Sequence, residues 1–172
     1  MKALILAAGY ATRLYPLTID RPKALLPIAG KAMLDYLVEE ICTLPDLDEI
    51  HLVSNHRFIR PFEAWVEGAR ARYPGFRFVL WDDMTTSDAD KRGAIGDIQF
   101  VLERAKLADD LLVAASDNFF TFPLVRFYEA FQKNNCDTLL VARFTDRNLL
   151  RRFAVATVDD HLRVTHLEEK PA

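Results

Sequence analysis

Cysteine is nearly absent. Cys42 and Cys136 are the only two in 172 residues; they lie far apart, and no histidine cluster stands near either. That excludes both a disulfide framework and a zinc site, and a reducing cytoplasm is the expected compartment. An excess of one charge is also missing: 22 Lys and Arg face 25 Asp and Glu, a net −3. The two signs are interspersed, so the chain lacks the basic stripe that a nucleic-acid surface requires. No apolar run approaches the roughly 20 residues needed to cross a bilayer. The opening run Ala3–Ala8 is too short for a signal peptide and leads straight into Gly9 and Arg13. Neither nucleic acid nor a membrane is an expected partner.

Two phosphate-binding signatures are lacking as well. Gly30-Lys31 is followed by Ala32, and Leu25 occupies the place where a P-loop needs its first glycine. Gly9-Tyr10-Ala11 does not begin a dinucleotide fingerprint. Asn55 and His56, rather than an acid, follow the second strand of the expected alternation. A dinucleotide-dependent oxidoreductase is thereby disfavoured.

What is present is a large apolar fraction, 51% of the chain, enough for one domain over residues 1–172 with a proper core. Short apolar runs alternate with segments of helical period. Strands are predicted at Ala3–Ala8, Ile50–Ser54, Phe76–Trp81, Leu111–Ala115 and Thr138–Ala142. Helices are predicted at Met33–Leu44, Phe58–Tyr73, Ile95–Lys106 and Leu124–Lys133. Within Phe58–Tyr73, the residues Phe58, Phe62, Trp65, Val66, Ala69 and Tyr73 recur every three or four positions, a core stripe rather than a ligand cage. Near the end, Phe153–Val158 and Leu162–Leu167 are joined by Asp159-Asp160-His161, a hairpin signal. The expected fold class is α/β: a doubly wound, mostly parallel sheet of Rossmann-like nucleotide-binding topology with a C-terminal antiparallel hairpin.

Two connections, Gly9–Ala29 and Asp82–Arg92, are longer than ordinary strand-to-helix loops. In an open parallel sheet, ligands bind outside the carboxyl ends of the strands, which is where both loops begin. Gly9 leaves room for backbone amides to approach a phosphate, Arg13 offers a fork of donors, and Lys23 adds a mobile point charge. Such a loop suits a triphosphate, although a generic loop of this composition would serve only solubility. Ser116-Asp117-Asn118 closes the Leu111–Ala115 strand and sets a carboxylate at the same edge. Asp117 is a turn former when read alone and a magnesium ligand when read with the first loop, because magnesium takes only one or two protein carboxylates beside phosphate oxygens and water.

Leu6-Ala7-Ala8-Gly9, Thr12-Arg13-Leu14, Pro16-Leu17-Thr18, Pro22-Lys23 and Leu26-Pro27 together resemble the signature of the sugar-1-phosphate nucleotidylyltransferases. Gly93-Ala94-Ile95-Gly96, Asp117-Asn118, Phe153–Val155 and Glu168-Glu169-Lys170-Pro171 continue the resemblance in the same order. It implies transfer of a nucleotide from a nucleoside triphosphate to a sugar 1-phosphate, with release of pyrophosphate. It also implies that Leu6, Ala8, Gly9, Tyr10, Ala11, Thr12 and Gly93 bind the nucleotide, and that Arg13 and Lys23 stabilise the triphosphate charge. Asp117 would bind Mg2+. Ala154 and Glu169 would line the sugar site, with Lys170 on the sugar phosphate. No side-chain nucleophile is needed, because the attacking phosphate oxygen is already ionised, so Ser116 and the cysteines have no implied catalytic role.

The chain departs from that pattern at named places. Ala11 and Ala154 stand where many members carry glycine. The Asp82–Arg92 loop has Asp88 and Asp90 but no glutamine. After Glu169-Lys170-Pro171, members continue with further sugar-binding strands and a second metal-binding Asp. Two other readings follow from these departures: a nucleotide or nucleotide-sugar binding module without turnover, and an interaction domain with an exposed apolar patch, through which a homo-oligomer would form.

Overall fold

The structure, a computed structural model, describes residues 1–144, 146 and 150–171. It divides into two compact units, Met1–Glu129 and Ala130–Ala172.

The first unit is built on a parallel sheet. Strand β1 (Lys2–Leu6) leads into a loop that carries a tiny antiparallel pair, β2 (Pro27–Ile28) and β3 (Lys31–Ala32). Helix α1 (Met33–Ile41), β4 (Glu49–Ser54), α2 (Ile59–Arg72), β5 (Arg77–Asp82), α3 (Gly93–Ala105), β6 (Leu111–Ala115) and α4 (Val125–Asn134) follow. The sheet order is β5-β4-β1-β6. The chain therefore steps outward on one side of β1 and then crosses to the other side for β6, which makes the β1/β6 boundary the switch point of the sheet.

Period-2 burial assigns the two faces of the sheet. Ala3 and Ile5 of β1, with Ile50, Leu52, Phe78 and Ala114, enter the larger core beneath α1 and α2. Leu4, Val53 and Val101 form a smaller core beneath α3 on the opposite face. Helices thus cover both faces, the doubly wound arrangement expected of an α/β chain. α1 buries Leu34, Leu37, Val38 and Ile41 at helical spacing, and α2 buries Phe62, Val66 and Ala69, with Trp65 and Tyr73 packed at the margin. Phe62 is fully buried, and removing such a ring costs about 3–5 kcal/mol. Asp35 at the third position of α1 accepts from the Ala32 amide at 3.0 Å, from Trp65 Nε1 at 2.9 Å and from Arg72 Nη2 at 2.9 Å, which ties the start of α1 to α2.

The β2–β3 turn was not foreseen. Ala29 (φ 47°) and Gly30 (φ 91°) both take positive φ, as the two central residues of a tight primed hairpin turn do.

The second unit contains the hairpin of β7 (Ala154–Val158) and β8 (Val164–Glu169), antiparallel as expected, with an irregularity between Thr157 and Val158. None of its described residues is buried. Phe144 stacks on Phe153 with centroids 5.9 Å apart, and Phe153, Leu162, Val164 and Leu167 remain exposed. The strand predicted at Thr138–Ala142 does not form. Its apolar run has no ladder partner among the described residues, and a strand is defined by its pairing rather than by composition.

Candidate active site

The loop after β1 is anchored from behind by polar side chains. Ala7 N–H donates to Val53 O at 2.9 Å, and Asn55 Nδ2 donates to Ala8 O at 2.8 Å. The same Asn55 accepts from Phe58 N–H at 3.1 Å, capping the short helical turn that leads into α2. Tyr10 turns inward, 3% exposed, and its hydroxyl meets Thr85 Oγ1 at 3.1 Å. Burial raises the Tyr10 pKa above the ordinary phenol value, so the ring stays neutral and able to donate. Fully buried Thr18 donates through Oγ1 to Ala11 O at 2.9 Å.

These anchors force Ala11 into the left-handed region, φ 47° and ψ 41°. A side chain there costs roughly 1–2 kcal/mol relative to right-handed backbone, which is the physical reason glycine suits the position. Gly9 needs no special φ, yet a Cβ at Gly9 would meet nothing within 4 Å. The space in front of it is open.

Asp117 reaches the same edge from β6. Ser116 N–H donates to Leu6 O at 3.0 Å, Asn118 N–H to Ala115 O at 3.1 Å, and Asn118 Oδ1 accepts from Ala115 N–H at 3.1 Å. This tight turn sets Asp117 beside the end of β1. Lys23 arrives on a helical turn, Lys23–Leu25, whose middle residue Ala24 is buried in the main core. Lys23 Nζ donates to Asp117 Oδ2 at 2.6 Å. Leu6, Ala7, Gly9, Ala11, Lys23, Ala24, Ser116 and Asp117 line a cleft of about 270 Å³, near the lower end of the roughly 300–1,000 Å³ usual for small-molecule sites.

Of the sequence-predicted residues, the structure brings Leu6, Gly9, Ala11, Lys23 and Asp117 to one cleft. Ala8, Tyr10, Thr12 and Arg13 belong to the same loop without lining it, and Gly93 (φ 74°) opens α3. Arg13 is exposed and makes no hydrogen bond or ion pair among the described residues. In the second unit Ala154 lies directly across the ladder from Glu169, and Lys170 N–H donates to Phe153 O at 3.1 Å. Lys170 Nζ stands 3.3 Å from Glu169 Oε1, so these three residues gather at one end of the hairpin. Sequence reasoning missed Asn55, Thr18 and Thr85 as loop anchors. For Asn55 a signal existed: an Asn directly after a strand and before a helical period is an N-cap.

Comparison with known proteins gives the same framework. The sequence pattern of the nucleotidyl transferase family matches residues 2–172. A glucose-1-phosphate adenylyltransferase of Geobacter metallireducens is 28% identical over 99% of the chain and 42% of its own length. The bifunctional protein GlmU of Methanocaldococcus jannaschii is 30% identical over 99% of the chain and 36% of its own length. The chain thus spans less than half the length of these relatives. A solved UDP-glucose pyrophosphorylase complexed with UDP-glucose superposes with a TM-score of 0.74 at 19% identity, covering 99% of the chain and 69% of that structure; at that identity the likeness speaks for the fold. With the family pattern running through the whole sheet and the hairpin, the chain belongs to the nucleotidyl transferase family.

Proposed function

We propose that the chain carries the nucleotide-binding core of a sugar-1-phosphate nucleotidylyltransferase. The observation that carries this reading is the meeting of Lys23 and Asp117 from opposite sides of the switch point, on a cleft floored by Gly9. A nucleoside triphosphate and a sugar phosphate are both polyanions, so their approach requires cations and donors held in place. The exposed Arg13 and the backbone before it supply both on the triphosphate side. Within the second unit, the family resemblance gives Glu169 to sugar hydroxyls and Lys170 to the sugar phosphate.

The transfer forms a bond from the sugar phosphate oxygen to the α-phosphorus and breaks the bond from that phosphorus to the departing pyrophosphate. No proton needs to move, because the attacking oxygen is already anionic; positioning and charge stabilisation suffice. Asp117 is the one carboxylate lining the cleft, and no group of three or more metal-ligating side chains occurs among the described residues. That donor set fits a magnesium ion shared with phosphate oxygens. Asp117 would hold such an ion, which would supply charge neutralisation for the phosphates, and Lys23 would add its own cation beside it.

Both cysteines are free, in keeping with a reducing cytoplasm, and no helix among the described residues is long and apolar enough to cross a membrane. The test is pyrophosphate release with magnesium across nucleoside triphosphates and sugar 1-phosphates. Release that requires one matched pair supports the reading. Nucleotide binding without release replaces it with a binding module. The exposed apolar residues of the hairpin favour a further role in self-association, which sedimentation would read directly.

A further inference from the structure

Two buried carboxyl groups stand behind the loop that precedes α3. Asp83, 1% exposed, follows β5; Asp97, 6% exposed, lies in the first turns of α3. Each keeps one buried oxygen without a hydrogen-bond partner, Asp83 Oδ2 and Asp97 Oδ1. Two carboxylates can only accept, so the two orphans cannot satisfy each other while both groups are ionised. The two side chains lie within hydrogen-bonding reach of each other, and one proton between them makes one a donor and the other an acceptor.

The direction of the neighbouring bonds says where that proton sits. Asp83 Oδ1 accepts from Thr85 N–H at 2.7 Å and from Thr85 Oγ1 at 2.7 Å. The threonine hydroxyl has spent its only proton, so Tyr10 must donate to Thr85 Oγ1 across their 3.1 Å contact. Two donors on Oδ1 favour the negative charge on Asp83, which leaves the proton with Asp97. The backbone of Asp83 is itself fixed, donating to Ser54 O at 2.9 Å and accepting from Arg92 Nε at 2.9 Å.

We propose that Asp83 and Asp97 share one proton and form an acid–carboxylate clamp that positions the loop after β1 through Thr85 and Tyr10. The positioning role in nucleotide binding rests on the function proposed above; the shared proton does not. The charged and titratable groups facing the pair are Arg92 at the start of α3 and Tyr10 from the β1 loop, which in turn senses Asp90 and Arg57. Burial, the Asp83 charge and the hydrogen bond to Asp83 push Asp97 up to about 6, with Arg92 opposing. An acid raised in the folded state stabilises the fold fully below its unfolded value near 4, and that contribution is lost as pH rises through about 6. Above that pH the chain Tyr10–Thr85–Asp83 faces a second buried negative charge and loosens.

Carbon NMR of the aspartate carboxyls in the whole chain is the direct experiment. One carboxyl should titrate near 6, and its signal should vanish in Asp97→Asn, which keeps a donor to Asp83. If every aspartate titrates in the ordinary range, the shared proton is refuted without any variant. Relative to that of Asp97→Asn, the folding constant of the wild type should fall by up to about tenfold per pH unit between about 4 and about 6. Amide protection at Leu14, which donates to Ala11 O, and at Thr85 should drop above pH 6 in the wild type alone; the same drop in Asp97→Asn overturns the positioning role. A stability that depends on added divalent cation and is abolished by chelator would put a cation, not a proton, between the two groups. Affinity for a nucleoside triphosphate should weaken over the same pH window. A wild type that binds no triphosphate at any pH refutes the function proposed above, and the NMR and exchange results still decide the clamp.

Discussion

Lys23 and Asp117, 94 positions apart in the chain, meet at 2.6 Å where β1 and β6 end. Each side chain keeps more than a third of its surface exposed, 37% and 39%, so water screens the pair and its contribution to folding is small, at most about 1 kcal/mol. Under the proposed function this pair serves ligand binding rather than stability.

Lys23→Ala, Asp117→Asn and Arg13→Ala should therefore leave the unfolding midpoint nearly unchanged while reducing pyrophosphate release by about a hundredfold or more each. Steady-state rates beside urea melts make the comparison. Rates that survive all three substitutions would refute the site assignment.

Chelating magnesium should stop release and leave thermal stability where it was, because Asp117 is already satisfied by Lys23 in the ligand-free fold. Calorimetry with and without chelator reads this. A falling midpoint would mean that the ion has a structural place elsewhere.

Ala11→Gly should stabilise the chain by a few tenths of a kcal/mol up to about 1, since relief of left-handed strain outweighs the entropy that glycine adds to the unfolded state. Ala11→Val, β-branched at φ 47°, should destabilise by more than about 1 kcal/mol. Equal midpoints for all three would show that the loop can relax out of the left-handed region.

Asn55→Ala removes two buried hydrogen bonds and leaves Ala8 O without that partner. The loss should be about 2–4 kcal/mol, with faster amide exchange at Ala7 and Phe58. Asn55→Asp should also destabilise, because an acceptor cannot replace the Nδ2 donor to Ala8 O.

Much of this architecture was legible beforehand. The Leu111–Ala115 strand matches residue for residue, and the stripe from Phe58 to Ala69 is the buried face of the second helical segment, because aliphatic and aromatic spacing maps directly onto burial. Lys23 and Asp117 stand out only together and through the family resemblance, because a lone loop Lys is ordinarily a solubilising charge and a lone strand-end Asp a turn former. Thr138–Ala142 was misread, since an apolar run carries no information about whether a neighbour exists to pair with it. Thr18, Asn55 and Thr85 escaped notice for a related reason: a buried polar anchor is recognised by its distant partner, and Thr85 lies 75 positions from Tyr10. The acid pair was hidden in the same way. Asp83 and Asp97 look like ordinary surface charges until the fold closes around them.

The strand order also imposes a timetable on synthesis. β1 and its loop are made before the other strands of the sheet, and the neighbour that supplies Asp117 begins only at residue 111. β4 can pair with β1, and β5 with β4, while the other edge of β1 still waits. Until residue 117 is made, the glycine loop and Lys23 therefore have no Asp117 opposite, and the cleft is completed only by a pairing of high sequence separation.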